Sequence, residues 1–186
     1  MSDKIKRIFR TTNILTSKET IMVIVNRMDY KDVFYLMTDK TIDLSTRFKT
    51  SLKCISEIHK FKQAEKQGTL LNRCLFTVNH KNESKDKIYF DGIVGVATLE
   101  TNIEAGLCVF PSSNTDIDYL VDGTKLIVND YCINKLHLKK LYTRIDFGDE
   151  KLHEFMNKFG YTDRTFYPSG CFKEFYIYEK DLSSSR

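Results

Sequence analysis

Apolar positions along the chain follow two spacings, every second residue in some stretches and every third or fourth in others. The changes between them outline the elements. The run KETIMVIVNR (18–27) is β-branched and bounded by charge, which predicts a strand. Asp29 then heads MDYKDVFYLMTDKTI, where Val33, Phe34, Leu36 and Met37 form a helical stripe. After a polar link at 41–50, SLKCISEIHKFKQAEKQG (51–68) spaces Leu52, Ile55, Ile58 and Phe61 about one helical turn apart. Ser51 suits its start and Gly68 its end.

Three predicted strands follow: LLNRCLFTV (70–78), IYFDGIVGVATL (88–99) and IEAGLCVF (103–110). The polar NHKNESKDK (79–87) reads as a hairpin loop, and Gly92 and Gly95 permit a bulge or a close backbone approach. A turn at Pro111–Asn114 leads into a helix over about 116–136, with Leu120, Leu126, Ile127, Ile133 and Leu136 on its apolar side. The strand KKLYTRID (139–146) and a helix at 149–159 come next, the latter burying Leu152, Phe155, Met156 and Phe159. Gly160 suits a left-handed helix end. Two closing strands, 161–166 and 172–178, flank a turn at Pro168–Gly170, and 181–186 reads as a frayed tail. The expected fold class is α+β: one domain over 1–180 with a mixed, mostly antiparallel sheet of about seven strands and about four flanking helices. The strand–helix–strand unit at 103–146 supplies its crossover connection.

Composition narrows the function classes. A chain of 186 residues, 41% hydrophobic and 29% charged, fits one globular domain. No apolar run approaches the ~20 residues of a membrane span, and Met1–Arg10 lacks a signal-peptide pattern. Cytoplasmic residence without a membrane partner is the expectation. The five cysteines stand far apart, so neither a metal site nor a disulfide framework is expected; three lie in apolar segments and read as small buried hydrophobes. Net charge is +4, from 29 basic and 25 acidic residues spread along the chain. That is too diffuse for nucleic acid but compatible with a phosphate-bearing ligand. Of the four histidines, His80 falls in the predicted polar loop and His137 near a helix end, where it suits the dipole. None neighbours a nucleophile signature.

Several segments, taken in order, resemble one family. VNRMDYKDVFYLMTD looks like its first strand and helix, and DGIVGVATL like its third strand. IEAGLCVFP looks like its fourth strand, NDYCINKLHLKKLYTRID like its third helix and fifth strand, and LHEFMNKFGY like its fourth helix. The family is the GNAT acetyltransferase superfamily, in the branch that acetylates ribosomal-protein N-termini, antibiotics and amino-sugars. The likeness runs from about Lys18 to Glu179. It implies an acyl-CoA-dependent N-acyltransferase, with acetyl-CoA as donor and an amine-bearing acceptor as partner; it leaves homodimer formation open. A donor carried on an acyl carrier protein, or a GNAT-like module that binds or regulates without catalysis, are the alternatives.

The resemblance also places candidate residues. Glu104 stands where this branch often has a glutamate that takes the amine proton, and Glu100 is the fallback. The backbone of Leu107, Cys108 and Val109 would pair with the pantetheine arm. Asp149 matches a position where the family has Asn beside that arm. Met156 matches the tyrosine that protonates the departing thiolate, and a thioether carries no proton to give. Tyr161, Tyr142 and Tyr167 are the candidate substitutes, Tyr161 being carried forward, and no spacing singles one out. The family's Gln/Arg-x-x-Gly-x-Gly/Ala turn, which cradles pyrophosphate, is replaced by PSSNTDIDYLVDGTKL. This leaves Gly123, Thr124 and Lys125 as cofactor candidates, with further donors at Ser112–Asn114. Asp116, Asp118 and Asp122 would each oppose a phosphate by about 1 kcal/mol or more at close range. The same acids also read simply as helix-starting residues.

Overall fold

The strands of the described residues form a single sheet. In the computed structural model, which describes residues 8–15, 20–28, 32, 63, 73–82, 87–99, 103–161, 163–168 and 174–183, eight strands are placed. They are β1 (Ile8–Leu15), β2 (Thr20–Arg27), β3 (Arg73–Asn82), β4 (Lys87–Thr98), β5 (Glu104–Pro111), β6 (Lys140–Asp146), β7 (Asp163–Tyr167) and β8 (Phe175–Asp181). The helices described end to end are α1 (Ile117–Ile127) and α2 (Glu150–Phe159). The sheet order is β1-β2-β3-β4-β5-β6-β8-β7, with β5–β6 the parallel neighbour pair and every other pair antiparallel. The α+β class expected from the sequence is the class formed. Apart from Asp32 and Gln63, which are helical, the helices expected between Asp29 and Gly68 lie outside the described residues, as does Glu100. No helix among the described residues is long and apolar enough to cross a membrane.

Four segments depart from the pattern-based outline. β1 precedes the first expected strand and pairs antiparallel with β2 from Ile8↔Asn26 to Leu15↔Thr20. β3 runs on through Asn79–Asn82, residues expected in a loop, because β2 and β4 both continue to pair with it there. The long helix expected to reach residue 136 is α-helical only to Ile127, then widens into a π turn at Val128–Ile133. There Asn134 N–H donates to Asn129 O at 3.1 Å and Leu136 N–H to Tyr131 O at 3.0 Å. The extra residue in the turn lets consecutive Tyr131 and Cys132 both reach the core, where the Tyr131 hydroxyl meets Cys74 Sγ at 2.8 Å. His137, at φ 55°, closes the element in the left-handed region. At the far end, β8 extends through Asp181 and Leu182 is buried, its N–H on Lys139 O at 2.8 Å, so ordered structure enters the expected tail.

The core lies between the sheet and the two helices. Val25, Phe76, Val78, Val94, Leu107 and Leu141 meet Leu120 and Ile127 of α1 and Leu152, Phe155 and Met156 of α2. Each such side chain, fully buried, contributes roughly 1.5–3 kcal/mol. Strand alternation then assigns β5: Ala105, Leu107 and Val109 point into this core, whereas Cys108 is exposed on the opposite face. Cys74 and Cys132 are buried as expected, and Cys108 is the exception for this reason. Between β3 and β4 the register slips by one residue, from Val78↔Gly92 to Asn79↔Phe90, so Asp91 is the extra residue of a bulge. A Cβ on Gly92 would stand 2.6 Å from Phe110 O, which is why the bulge is built at a glycine.

Gly123 belongs to the same packing. A Cβ there would overlap Val78 Cγ1 and lie 2.9 Å from Val78 Cγ2, so the glycine lets α1 settle onto β3. Gly123→Ala should therefore cost about 1–3 kcal/mol in urea denaturation despite alanine's better helix propensity. Adding Val78→Ala should bring the double variant above the sum of the two single losses. Strict additivity would show that the two positions are not in contact.

Candidate active site

The sheet contains an opening, and backbone pairing defines it. β5 and β6 are matched only at Glu104↔Lys140, Ala105↔Leu141 and Gly106↔Tyr142. Beyond those residues β5 stays on β4 as far as Gly92↔Pro111, and β6 stays on β8 as far as Asp146↔Phe175. The two strands thus part, each held by its outer neighbour. The phase of the hydrogen bonding follows from the bonds at the strand ends. Leu99 N–H donates to Glu104 O at 2.8 Å, and Ser112 N–H donates to Asp91 O at 2.8 Å. Even-numbered residues of β5 therefore bond to β4, and odd-numbered ones turn their backbone toward β6. Past the last matched pair, the Leu107 carbonyl and both backbone groups of Val109 face the gap.

The open end of this cleft is framed by two helix starts, because α1 follows β5 and α2 follows β6. Each is capped by its own aspartate. Asp116 accepts from Asp118 N–H at 3.0 Å, and Asp149 from Leu152 N–H at 3.2 Å. Asp118 pairs with Lys158 of α2 at 2.8 Å, and Lys158 also meets Glu154 at 3.1 Å. Asp122 meets Lys125 at 3.4 Å. Lys151, in the first turn of α2, reaches across the mouth and donates to Ser112 O at 2.9 Å and Ser113 O at 3.1 Å.

Behind the β5–α1 turn sits a polar cluster. The bulge residue Asp91 is fully buried and accepts from Thr115 Oγ1 at 2.7 Å, while His80 Nδ1 lies 2.9 and 3.0 Å from its two carboxyl oxygens. The His80 ring rests between Tyr89, stacked at 5.0 Å, and Tyr119 at 4.3 Å. Three elements meet at one carboxyl group, which anchors Thr115 immediately before the Asp116 cap.

At the closed end, Glu104 and Tyr142 lie on the sheet face opposite the helices. The Tyr142 hydroxyl donates to Glu104 Oε1 at 3.3 Å. Partial desolvation, with the carboxylates of Glu179 and Glu104, holds the Tyr142 phenol above its ordinary value. Lys140, opposite Glu104 in register, pairs with Glu179. On the helix side, the Tyr161 hydroxyl is buried 3.0 Å from Thr143 Oγ1, and burial pushes its phenol far up. Thr143 is the first residue of β6 past the last matched pair.

Some of the sequence-predicted residues border the cleft and others stand away from it. Glu104, Leu107 and Val109 line or adjoin it, Cys108 faces the side of Glu104, Asp149 caps α2, and Tyr161 reaches it through Thr143. Gly123, Thr124 and Lys125 stand in the second and third turns of α1: Gly123 on Val78, Thr124 donating to Leu120 O at 2.7 Å, and Lys125 on Asp122. Met156 is buried in the core. Sequence reasoning did not find Lys151, Asp91, His80 or Thr115. For Lys151 a signal existed, since a lysine in the first turn of a helix opposes the dipole.

No protein-family model matches the sequence, and no curated protein sequence matches it. Solved structures do. A ribosomal-protein-S5-alanine acetyltransferase from Vibrio fischeri superposes with a TM-score of 0.59 at 12% identity, over 94% of this chain and 99% of that one. A spermidine N-acetyltransferase from Vibrio cholerae, in complex with CoA and spermine, gives 0.60 at 12% identity, over 87% and 96%. An acetyltransferase of the GNAT family from Streptococcus pneumoniae gives 0.58 at 12% identity, over 87% and 99%. At these identities the likeness is one of fold: the chain has the GNAT acetyltransferase fold.

Asp91 gives the site a pH signature. Burial raises its carboxyl above the ordinary 3.8, with Thr115 and His80 pulling the other way. The folded chain therefore keeps that proton to higher pH than the unfolded chain. The stability so gained is complete below 3.8 and is lost as pH rises through the raised value. In denaturation series from pH 4 upward, Asp91→Asn should gain on the native chain by about 1.4 kcal/mol for each pH unit by which the pKa is raised. Parallel profiles would mean that Asp91 titrates as it does unfolded.

Proposed function

We propose that the protein is an N-acyltransferase that takes an acyl group, acetyl in the simplest case, from acyl-CoA and passes it to a primary amine. The observation that carries this reading is the cleft between β5 and β6, where the Leu107 carbonyl and the Val109 backbone stand without a neighbouring strand. An extended pantetheine arm satisfies those groups as an added strand would, and it brings a thioester to the closed end, beside Gly106 and Tyr142. The CoA and spermine bound to the Vibrio cholerae enzyme, which shares the fold, support an anionic thioester donor and an amine acceptor.

In this reading the acceptor approaches from the face of Glu104. Its carboxylate takes a proton from the amine, whose freed lone pair attacks the thioester carbonyl carbon. Backbone N–H groups of β5 stabilise the developing oxyanion. The carbon–sulfur bond then breaks, the thiolate takes a proton from a phenol, the surplus proton of the acylated nitrogen restores that phenol, and Glu104 releases its proton to solvent. Tyr142 is the proposed donor, because it already bonds to Glu104 and its raised pKa keeps the proton on oxygen. Tyr161 is the alternative, acting from the helix side through Thr143. A second reading, delivery of the acyl group on a carrier protein, is favoured by one observation: the Asp116 carboxylate occupies the α1 start, where a free diphosphate would otherwise bind.

Acetyl-CoA at about 100 times its Kd should add about 2.7 kcal/mol of stability, read as a rise in melting temperature. A shift with an acyl carrier protein but none with acetyl-CoA would move the assignment to the second reading, and silence with both would end it. In a chain that binds acetyl-CoA, Glu104→Gln should lower turnover about a hundredfold and leave the thermal shift intact. Undiminished turnover would remove Glu104 from the mechanism.

A further inference from the structure

Lys151 joins the two sides of the cleft. Its side chain springs from α2, on the β6 side, and its ammonium holds two carbonyl oxygens of the turn that ends β5. Those acceptors are uncharged, so the positive charge is not cancelled there. The other two lysines of α1 and α2 stand in the last turns of their helices and are different: Lys158 is matched by Asp118 and Glu154, and Lys125 by Asp122. Among the described residues no carboxylate pairs with Lys151. The acids at the start of α1 are thus balanced by lysines or spent on the helix cap, while an unbalanced cation stands across the opening from them.

We infer that Lys151 is the cation that receives the phosphates of the acyl donor, an assignment that rests on the acyl-CoA reading above. An ammonium carries three N–H donors, and the two carbonyls engage two of them. Phosphate oxygens, being charged, bind an ammonium more strongly than carbonyls do, so the exchange is downhill. Asp116 enforces the direction: its carboxylate repels a diphosphate from the first turn of α1 and displaces it toward α2, where Lys151 stands. The bridge from Lys151 to Ser112 and Ser113 then opens as the donor enters, and it re-forms when the product thiol leaves.

The experiment is calorimetric titration of the full chain with CoA, with S-acetylpantetheine, which has no phosphate, and with inorganic pyrophosphate as competitor. Lys151→Met should weaken CoA about tenfold and make pyrophosphate a correspondingly poorer competitor, with S-acetylpantetheine unaffected. Lys151→Arg should restore most of the CoA affinity, and the melting temperature of each variant reports its folding. Equal CoA affinity in the native and Met chains overturns the assignment of Lys151 alone. Equal losses for CoA and S-acetylpantetheine overturn it too, by showing that Lys151 only shapes the cleft. A native chain that binds neither thiol compound overturns the acyl-CoA reading, and this inference with it.

Discussion

Backbone hydrogen bonding governs this architecture. A sheet is stable when its interior strands have partners on both edges, since an unpaired amide or carbonyl shielded from water is costly. Here β5 and β6 sit in the middle of the order, yet they share only three matched pairs. What permits the separation is the strength of the outer ladders. β4 holds β5 over its whole length and β8 does the same for β6, so each strand keeps an outer partner where the two part. The groups left facing the gap are the ones that the proposed pantetheine arm pairs with. The fold and the proposed binding mode are two results of the same shortfall.

Charge is arranged around that gap with the same economy. The start of α1 has the acids that the sequence announces, but the helix itself absorbs one, Asp116, and lysines absorb Asp118 and Asp122. Beneath them the bulge turns Asp91 inward, where His80 and Thr115 hold its carboxyl group. A displaced register of one residue thus places a buried anion behind the turn, and the turn presents Ser112 and Ser113 to the mouth. Gly123 packs on Val78 in the helix that Thr115 precedes.

How far the sequence could be read depended on whether a feature was local. Strands β2, β4, β5 and β6 and helix α2 follow from alternation, helical spacing and caps such as Asp149 and Gly160, all contained in short windows. Glu104 and the Leu107–Val109 backbone were reachable through the family resemblance, because they sit at a fixed place on one strand. Residues 79–82 were not, since their polarity argues for a loop and only pairing with both β2 and β4 makes them a strand. The cluster of His80, Asp91 and Thr115 gathers three elements at one point, and no window of sequence contains it. Gly123 was conspicuous as a glycine, but the reason for it, Val78, lies 45 positions earlier.

The placement of β8 carries an implication for assembly. The strand that secures the far wall of the cleft, β8, is the last of the described strands, inserted between β6 and the earlier β7. Until Phe175–Leu182 has been synthesised, β6 has a bare edge on one side and the splayed gap on the other. Such an intermediate exposes strand backbone in the way that invites pairing with foreign chains. Completion of the cleft is therefore tied to β8, and a nascent polypeptide stopped short of it has only one of the two walls secured.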